Sequence, residues 1–243
     1  MGKSKKLNRK ISKSKVQLLS IVATVLLIGI ASCIFIESQS TNNQTASVGK
    51  AGKKDYDAYA NINKDDIESI GLLWEVGLDY GQIPIVALVH VDSIDGGRNY
   101  SPIYERYVGA ETYGTMTVLE VYKGDVRSGQ QLTYSRFGGI ITAQEYLNAL
   151  NAPESKETYL HSGRPSEKKY VKEYIVDDID VEVGKNYLAF LTPQSSKDGK
   201  YHEYAMSGAQ YGLRETRGSG AEVSIFNYGT GKWENVSTIV ELQ

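Results

Sequence analysis

The chain has 243 residues, of which 41% are hydrophobic and 23% charged, and this composition excludes a largely disordered protein. Its single cysteine, Cys33, excludes a disulfide scaffold within the chain and zinc sites built from two or more thiolates. The net charge of −2 is small only because a basic N-terminal segment offsets an acidic remainder.

The first predicted element is a membrane anchor. Residues 1–15 form a basic segment with seven Lys and Arg residues and no acid, and residues 16–36 contain no charged side chain at all. As a helix, residues 16–36 would be about 30 Å long, which is the thickness of the hydrocarbon core of a bilayer. Because basic residues beside a span stay in the cytoplasm, we expect a single-pass signal anchor in the cell membrane with residues 37–243 outside the cell.

Two other fates of this segment remain open. It would be removed if it were a cleaved signal peptide, although the apolar region of such peptides is usually shorter. The residues Ile30-Ala31-Ser32-Cys33 resemble the bacterial lipobox, in which Cys33 would be acylated and become the mature N-terminus. The apolar residues that follow Cys33 disfavour that alternative, because mature lipoproteins tend to be polar there. We therefore favour the retained anchor.

The charge balance also constrains the partners. Seven of the 27 basic residues precede position 16, which leaves 20 basic against 29 acidic residues, a net charge of −9, in residues 37–243. This acidic portion argues against nucleic acid as a partner, whereas the basic segment suits anionic lipid headgroups of the bilayer. Residues 37–64 are rich in Ser, Asn, Thr, Gly and Lys without apolar periodicity, so we expect a flexible linker there.

Residues 65–243 are predicted to form one mainly β extracytoplasmic domain. A first short helix is expected over residues 65–79 after the capping residue Asn63, and a second runs from the cap Thr142 to Leu150. The predicted strands cover residues 83–94, 113–123, 131–137, 169–176, 186–192, 201–207, 221–227 and 236–242.

The segments between these strands are predicted as turns and loops. Residues 98–112 are predicted to form a polar loop, residues 151–168 an exposed insertion, and residues 228–231 a hairpin turn. Short strands separated by turn signals at intervals of roughly 8–15 residues favour a closed or nearly closed antiparallel barrel.

Two motifs carry a resemblance to a known family. The sequence V-x-x-V-x-K-G is followed later by G-x-x-Y-L-x-F, and the matching residues are Val118, Val121, Lys123, Gly124, Gly184, Tyr187, Leu188 and Phe190. This order resembles the netrin-like and metalloproteinase-inhibitor-like branch of OB-fold domains over about residues 86–192, and it implies an OB-like barrel. Inhibitors of that branch ligate the zinc of the protease through an N-terminal Cys. Residues 37–243 contain no Cys, so the resemblance gives no support to metalloproteinase inhibition. The Lys- and Asn-rich anchor is in keeping with membrane-tethered proteins of Gram-positive bacteria.

Tyrosines in the predicted loop are the candidate ligand-binding residues. The chain has 18 Tyr against 4 Phe, and Tyr100, Tyr104 and Tyr107 lie close to Arg106 in the sequence. Tyr and Arg are enriched in recognition hot spots because they combine contact area with a polar group. The alternative is that these rings cover the end of the barrel and serve its core.

No catalytic constellation, metal signature or cofactor motif is present in the sequence. His90 and Asp92 alternate on one face of a predicted strand and are the strongest candidates for catalysis. The carboxylates of residues 177–182 are expected to form a solvated acidic loop. We therefore predict a binding domain without catalytic activity, cofactor or metal, whose ligand is a protein or a component of the cell envelope. An extracytoplasmic hydrolase of wall polymer or peptide that uses His90 is the alternative.

Overall fold

The computed structural model describes residues 56–73, 82–152, 167–218 and 222–240. In this part of the chain 57% of the residues lie in strands and 12% in helices, so the predicted mainly β class is confirmed. The described strands, in chain order, are β1 (Tyr56–Asp57), β2 (Ile67–Leu72), β3 (Ile85–Ser101), β4 (Arg106–Lys123), β5 (Gln131–Phe137), β6 (Gly139–Thr142), β7 (Tyr170–Ile175), β8 (Asn186–Ser195), β9 (His202–Met206), β10 (Leu213–Arg217), β11 (Ser224–Asn227) and β12 (Lys232–Asn235).

The larger sheet contains a cycle of strand pairings. Its order is β1-β3-β4-β5-β9-β8-β10-β11-β12, and β3 pairs in addition with β8. The pairings β3–β4, β4–β5, β8–β9 and β3–β8 are antiparallel, whereas β5–β9 is parallel. The strands β3, β4, β5, β9 and β8 therefore form a cycle in which the last strand pairs with the first.

The apolar side chains of these five strands form the main core. The cluster includes Val89 on β3, Met116 on β4, Tyr134 on β5 and Leu191 on β8, each fully buried. Side chains on the opposite face of β3 and β8 pack against Ile225 of β11 and its neighbours and form a second cluster. Both faces of β3 are thus covered, which explains why its first half is an almost unbroken apolar run.

A second, smaller sheet packs beside the first. Its order is β2-β7-β6, with β2 parallel and β6 antiparallel to β7. The helix α1 (Ala143–Asn151) follows β6 directly and is capped by Thr142, as predicted, in a reciprocal arrangement with Glu145. Ala149 on α1, Val171 on β7 and Ala110 on β4 share a third core cluster.

Two sequence-based expectations of secondary structure were wrong. Residues 65–79 were expected to be helical, but only a 3₁₀ turn (Lys64–Asp66) forms before the strand β2, and the side chain of Asn63 accepts a hydrogen bond from the Asp65 amide. Ile67–Leu72 is extended because it pairs with β7 along its whole length, and such long-range pairing outweighs weak local propensity. The expected strand at residues 236–242 is instead a short helix (Ser237–Val240) within its described part.

Two other boundaries also differ. Residues 56–64 were assigned to the flexible linker, yet Tyr56 and Asp57 pair with β3, and the Tyr59 hydroxyl accepts a hydrogen bond from the amide of Ile140. Residues 98–112 were expected to form a loop, but β3 continues to Ser101 and β4 starts at Arg106, so that the two strands form a long ribbon. The hairpin turn at residues 228–231 is confirmed between β11 and β12.

The predicted anchor at residues 16–36, Cys33 and most of the predicted insertion lie outside the described residues. Among the residues that are described, no helix has the length and apolar character needed to cross a bilayer.

Candidate functional site

The four predicted binding residues come together at the end of the β3–β4 ribbon, where the chain turns at residues 102–105. Tyr100 lies directly opposite Tyr107 across the two strands, and their rings meet edge to face with centroids 5.4 Å apart. The guanidinium carbon of Arg106 lies 5.6 Å from the ring centroid of Tyr104. We call these four residues the ribbon tip.

Two rings of the ribbon tip are open to solvent. Tyr100 is 47% exposed and Tyr104 is 49% exposed, whereas Tyr107 is partly buried and packs against the third core cluster. The Tyr104 hydroxyl accepts a hydrogen bond of 2.8 Å from the Gln194 side chain on β8. Burial, followed by the nearby carboxylate of Glu111, raises the pKa of Tyr104.

A partly buried ionic network fixes the ribbon below its tip. Arg98 on β3 lies 3.1 Å from Glu111 on β4 and 2.7 Å from Glu203 on β9, and Ser135 on β5 donates a hydrogen bond of 2.9 Å to Glu203. Burial lowers the pKa of Arg98, but the two carboxylates outweigh that effect and raise it. Because one cation faces two carboxylates from different strands, the network positions the ribbon across the sheet.

A second polar cluster was missed by the sequence analysis. Arg136 on β5 and the carboxylate of Asp178 lie 2.5 Å apart, with side chains only 4% and 7% exposed. Burial lowers the pKa of Arg136 and raises that of Asp178, because each charge has lost its water, and attraction between the two opposes both shifts. The alternation Leu132-x-Tyr134-x-Arg136 was a usable signal, since it puts Arg136 on the inward face of its strand.

The expected solvated acidic loop is therefore only partly right. Asp178 is buried, as described, while Asp180 pairs with Lys172 and Glu182 pairs with Lys185. Across the described ranges no group of three or more His, Cys, Asp or Glu side chains is arranged to hold a metal ion.

His90 does not pair with Asp92. The Nδ1 atom of His90 lies 2.7 Å from the Oδ1 atom of Asn186 on the neighbouring strand β8. The buried carboxylate of Asp92 accepts hydrogen bonds from Thr117 at 2.6 Å and from Gln131 at 3.2 Å. A carboxylate that orients the imidazole as a catalytic base needs a direct contact, and here both groups have other partners.

Comparisons of this chain with models of protein families, with curated proteins and with solved structures found no match.

Proposed function

We propose that this chain is a membrane-anchored extracytoplasmic binding protein without catalytic activity, whose ribbon tip contacts a protein or another component of the cell envelope. The charge distribution supports the location: a basic N-terminal segment precedes an uncharged apolar stretch, and the acidic remainder follows it. In this proposal residues 1–15 are cytoplasmic and residues 16–36 cross the bilayer.

We further propose that the five cyclically paired strands are an OB-like barrel of the netrin-like type. The parallel pairing of β5 with β9 and the position of α1 between β5 and β8 support this topology. The residues of the V-x-x-V-x-K-G and G-x-x-Y-L-x-F motifs also suit an OB-like barrel. Gly124 and Gly184 have positive φ angles of 96° and 82°, as their turns require, and Tyr187 and Phe190 are buried.

The observation that carries the proposed function is the exposure of two aromatic rings at the end of one ribbon. Tyr100 and Tyr104 offer large, half-exposed surfaces, and Arg106 beside Tyr104 supplies a charged hydrogen-bond donor. The ionic network of Arg98 below the tip reduces the conformational entropy that would be lost on binding. Rigid aromatic residues beside an arginine are the typical composition of an interface hot spot.

The test uses the full-length protein, purified in detergent and immobilised, to capture crosslinked ligands from an envelope preparation of the source cells. The double variant Tyr104→Ala plus Arg106→Ala is compared with Leu119→Ala. Leu119 is the control because its side chain is 38% exposed but lies on β4 thirteen residues from Arg106, far from the ribbon tip. Loss of a hot spot of about 2–4 kcal/mol weakens binding roughly 30-fold or more.

We expect the double variant to lose the captured ligand while Leu119→Ala retains it. Circular dichroism and urea unfolding of each variant show whether the fold is intact. Equal capture by wild type and a folded double variant would exclude the ribbon tip as the binding surface.

A further inference from the structure

The three-stranded sheet has one face on the core and an opposite face that lines two cavities. Along β7 the side chains of Val171 and Glu173 are buried, so Lys172 between them points to the other face. The register places Ser69 of β2 on one side of Lys172 and Ile140 of β6 on the other. These three residues form a row across the outer face of the sheet.

Two adjoining cavities lie against this row. One has a volume of about 250 Å³ and extends from Lys172 past Tyr174 to the buried Arg136. The other has a volume of about 440 Å³ and extends from Lys172 towards Asp57 and Glu182. Both are lined by Thr112, Lys172, Asp180 and Val181, so they are two compartments of a single groove.

An ion pair stands where the two compartments meet. The Lys172 ammonium lies 2.5 Å from the Asp180 carboxylate, and the side chains are 26% and 68% exposed. The same ammonium lies 5.9 Å from the ring centroid of Tyr174. The groove thus offers a cation, an anion and an aromatic ring within one short stretch.

The pairing of opposite charges decides which ligands fit. A charged group of either sign that approaches Lys172 and Asp180 meets one opposite charge and one like charge, so attraction and repulsion largely cancel. A neutral hydroxyl group can donate to the carboxylate and accept from the ammonium while the pair stays intact. Several hydroxyl groups on a ring with an apolar face match this arrangement, since that face can pack on Tyr174.

We propose that this groove is a second binding site, distinct from the ribbon tip, and that its ligand is a neutral oligosaccharide. The volume of the larger compartment lies in the range of small-ligand sites, about 300–1,000 Å³. Asp180 and Lys172 bind adjacent hydroxyl groups of one sugar unit, and the compartments on either side hold its neighbours in the chain.

The test titrates the full-length protein with three neutral probes: maltotetraose, cellotetraose and the tetramer of β-1,4-linked N-acetylglucosamine. Isothermal calorimetry measures the Kd of wild type and of three variants, Asp180→Asn, Lys172→Met and Lys200→Met. Lys200 is the matched control, because it also forms an ion pair, with Asp198, but its side chain is 76% exposed against 26% for Lys172. Loss of one charge-assisted hydrogen bond weakens binding by about tenfold or more.

We expect saturable binding of at least one probe, at least about tenfold weaker in Asp180→Asn and in Lys172→Met and unchanged in Lys200→Met. Because the ligand is neutral, raising the salt from about 50 to about 500 mM should change the Kd less than twofold. Asp180→Asn alters an exposed loop side chain, so it remains informative if Lys172→Met does not fold.

Three results would overturn the proposal. The first is no binding of any probe up to about 10 mM. The second is binding that both groove variants leave unchanged, which would place it elsewhere. The third is displacement of the probes by a zwitterionic dipeptide whose own Kd depends strongly on salt concentration. That result would assign the groove to a charged ligand.

Discussion

Replacing Asp178 by Asn removes one charge from the buried pair and leaves the local geometry in place. The Oδ1 atom of Asp178 accepts a hydrogen bond of 2.8 Å from the amide of Ile179, and the Asn side chain can accept the same bond. The guanidinium of Arg136 then keeps only uncharged acceptors, which are the same side-chain oxygen and the carbonyl oxygens of Ile179 and Ala209 at 3.3 and 3.5 Å, while the opposite charge is gone.

The expected loss of stability is large, because Arg136 is only 4% exposed and its charge is left largely desolvated without the carboxylate. Removing one partner of a buried ion pair costs about 3–5 kcal/mol. A domain of this kind has a total stability of about 5–15 kcal/mol. If the free energy of unfolding falls by about 2 kcal/mol per molar urea, the urea concentration at the unfolding midpoint should fall by about 1.5–2.5 M.

Urea unfolding of the full-length protein, followed by circular dichroism, measures this shift. The double variant Arg136→Met plus Asp178→Asn should recover part of the loss, since no charge is then left buried. Asp198→Asn is the control, because that carboxylate pairs with Lys200 at the surface, and its midpoint should stay close to that of the wild type.

An unfolding midpoint of Asp178→Asn equal to that of Asp198→Asn would refute the expected cost of the unpaired charge. A double variant less stable than Asp178→Asn would also refute it, because Arg136 would then stabilise the fold without its partner.

Three further predictions concern other parts of the chain. Burial raises the pKa of Glu173, so the folded state is favoured when this carboxyl group is protonated. The stabilisation is complete below the ordinary carboxyl pKa and is lost as pH rises through the pKa of Glu173 in the folded protein. Glu173→Gln should therefore raise the free energy of unfolding at pH 7 by about 1–3 kcal/mol and flatten its dependence on pH, while the exposed Glu120→Gln should do neither. Gly97→Ala would put a methyl group 2.0 Å from the carbonyl oxygen of Ile140, and faster amide exchange in β6 should reveal the displaced strand. Protease added to intact cells should remove a C-terminal tag and spare an N-terminal tag; the opposite pattern would contradict the proposed topology.

Local patterns in the sequence were sufficient for the mainly β class and for most strands. Alternating or continuous apolar residues mark β5 and β8, and Thr142 marks the start of α1, because such signals depend on neighbours only a few residues away. The residue types of the ribbon tip were also recognisable, since Tyr and Arg are suited to recognition in any fold.

The tertiary structure decided what depends on partners that are distant in sequence. Ile67–Leu72 is a strand because β7, about a hundred residues later, pairs with it, and no local pattern encodes that register. The same holds for the contact of Arg136 with Asp178, which are 42 residues apart in the sequence. The groove beside Lys172 exists only because strands from separate segments place their side chains in one row, and short-range preferences carry no information about such placement.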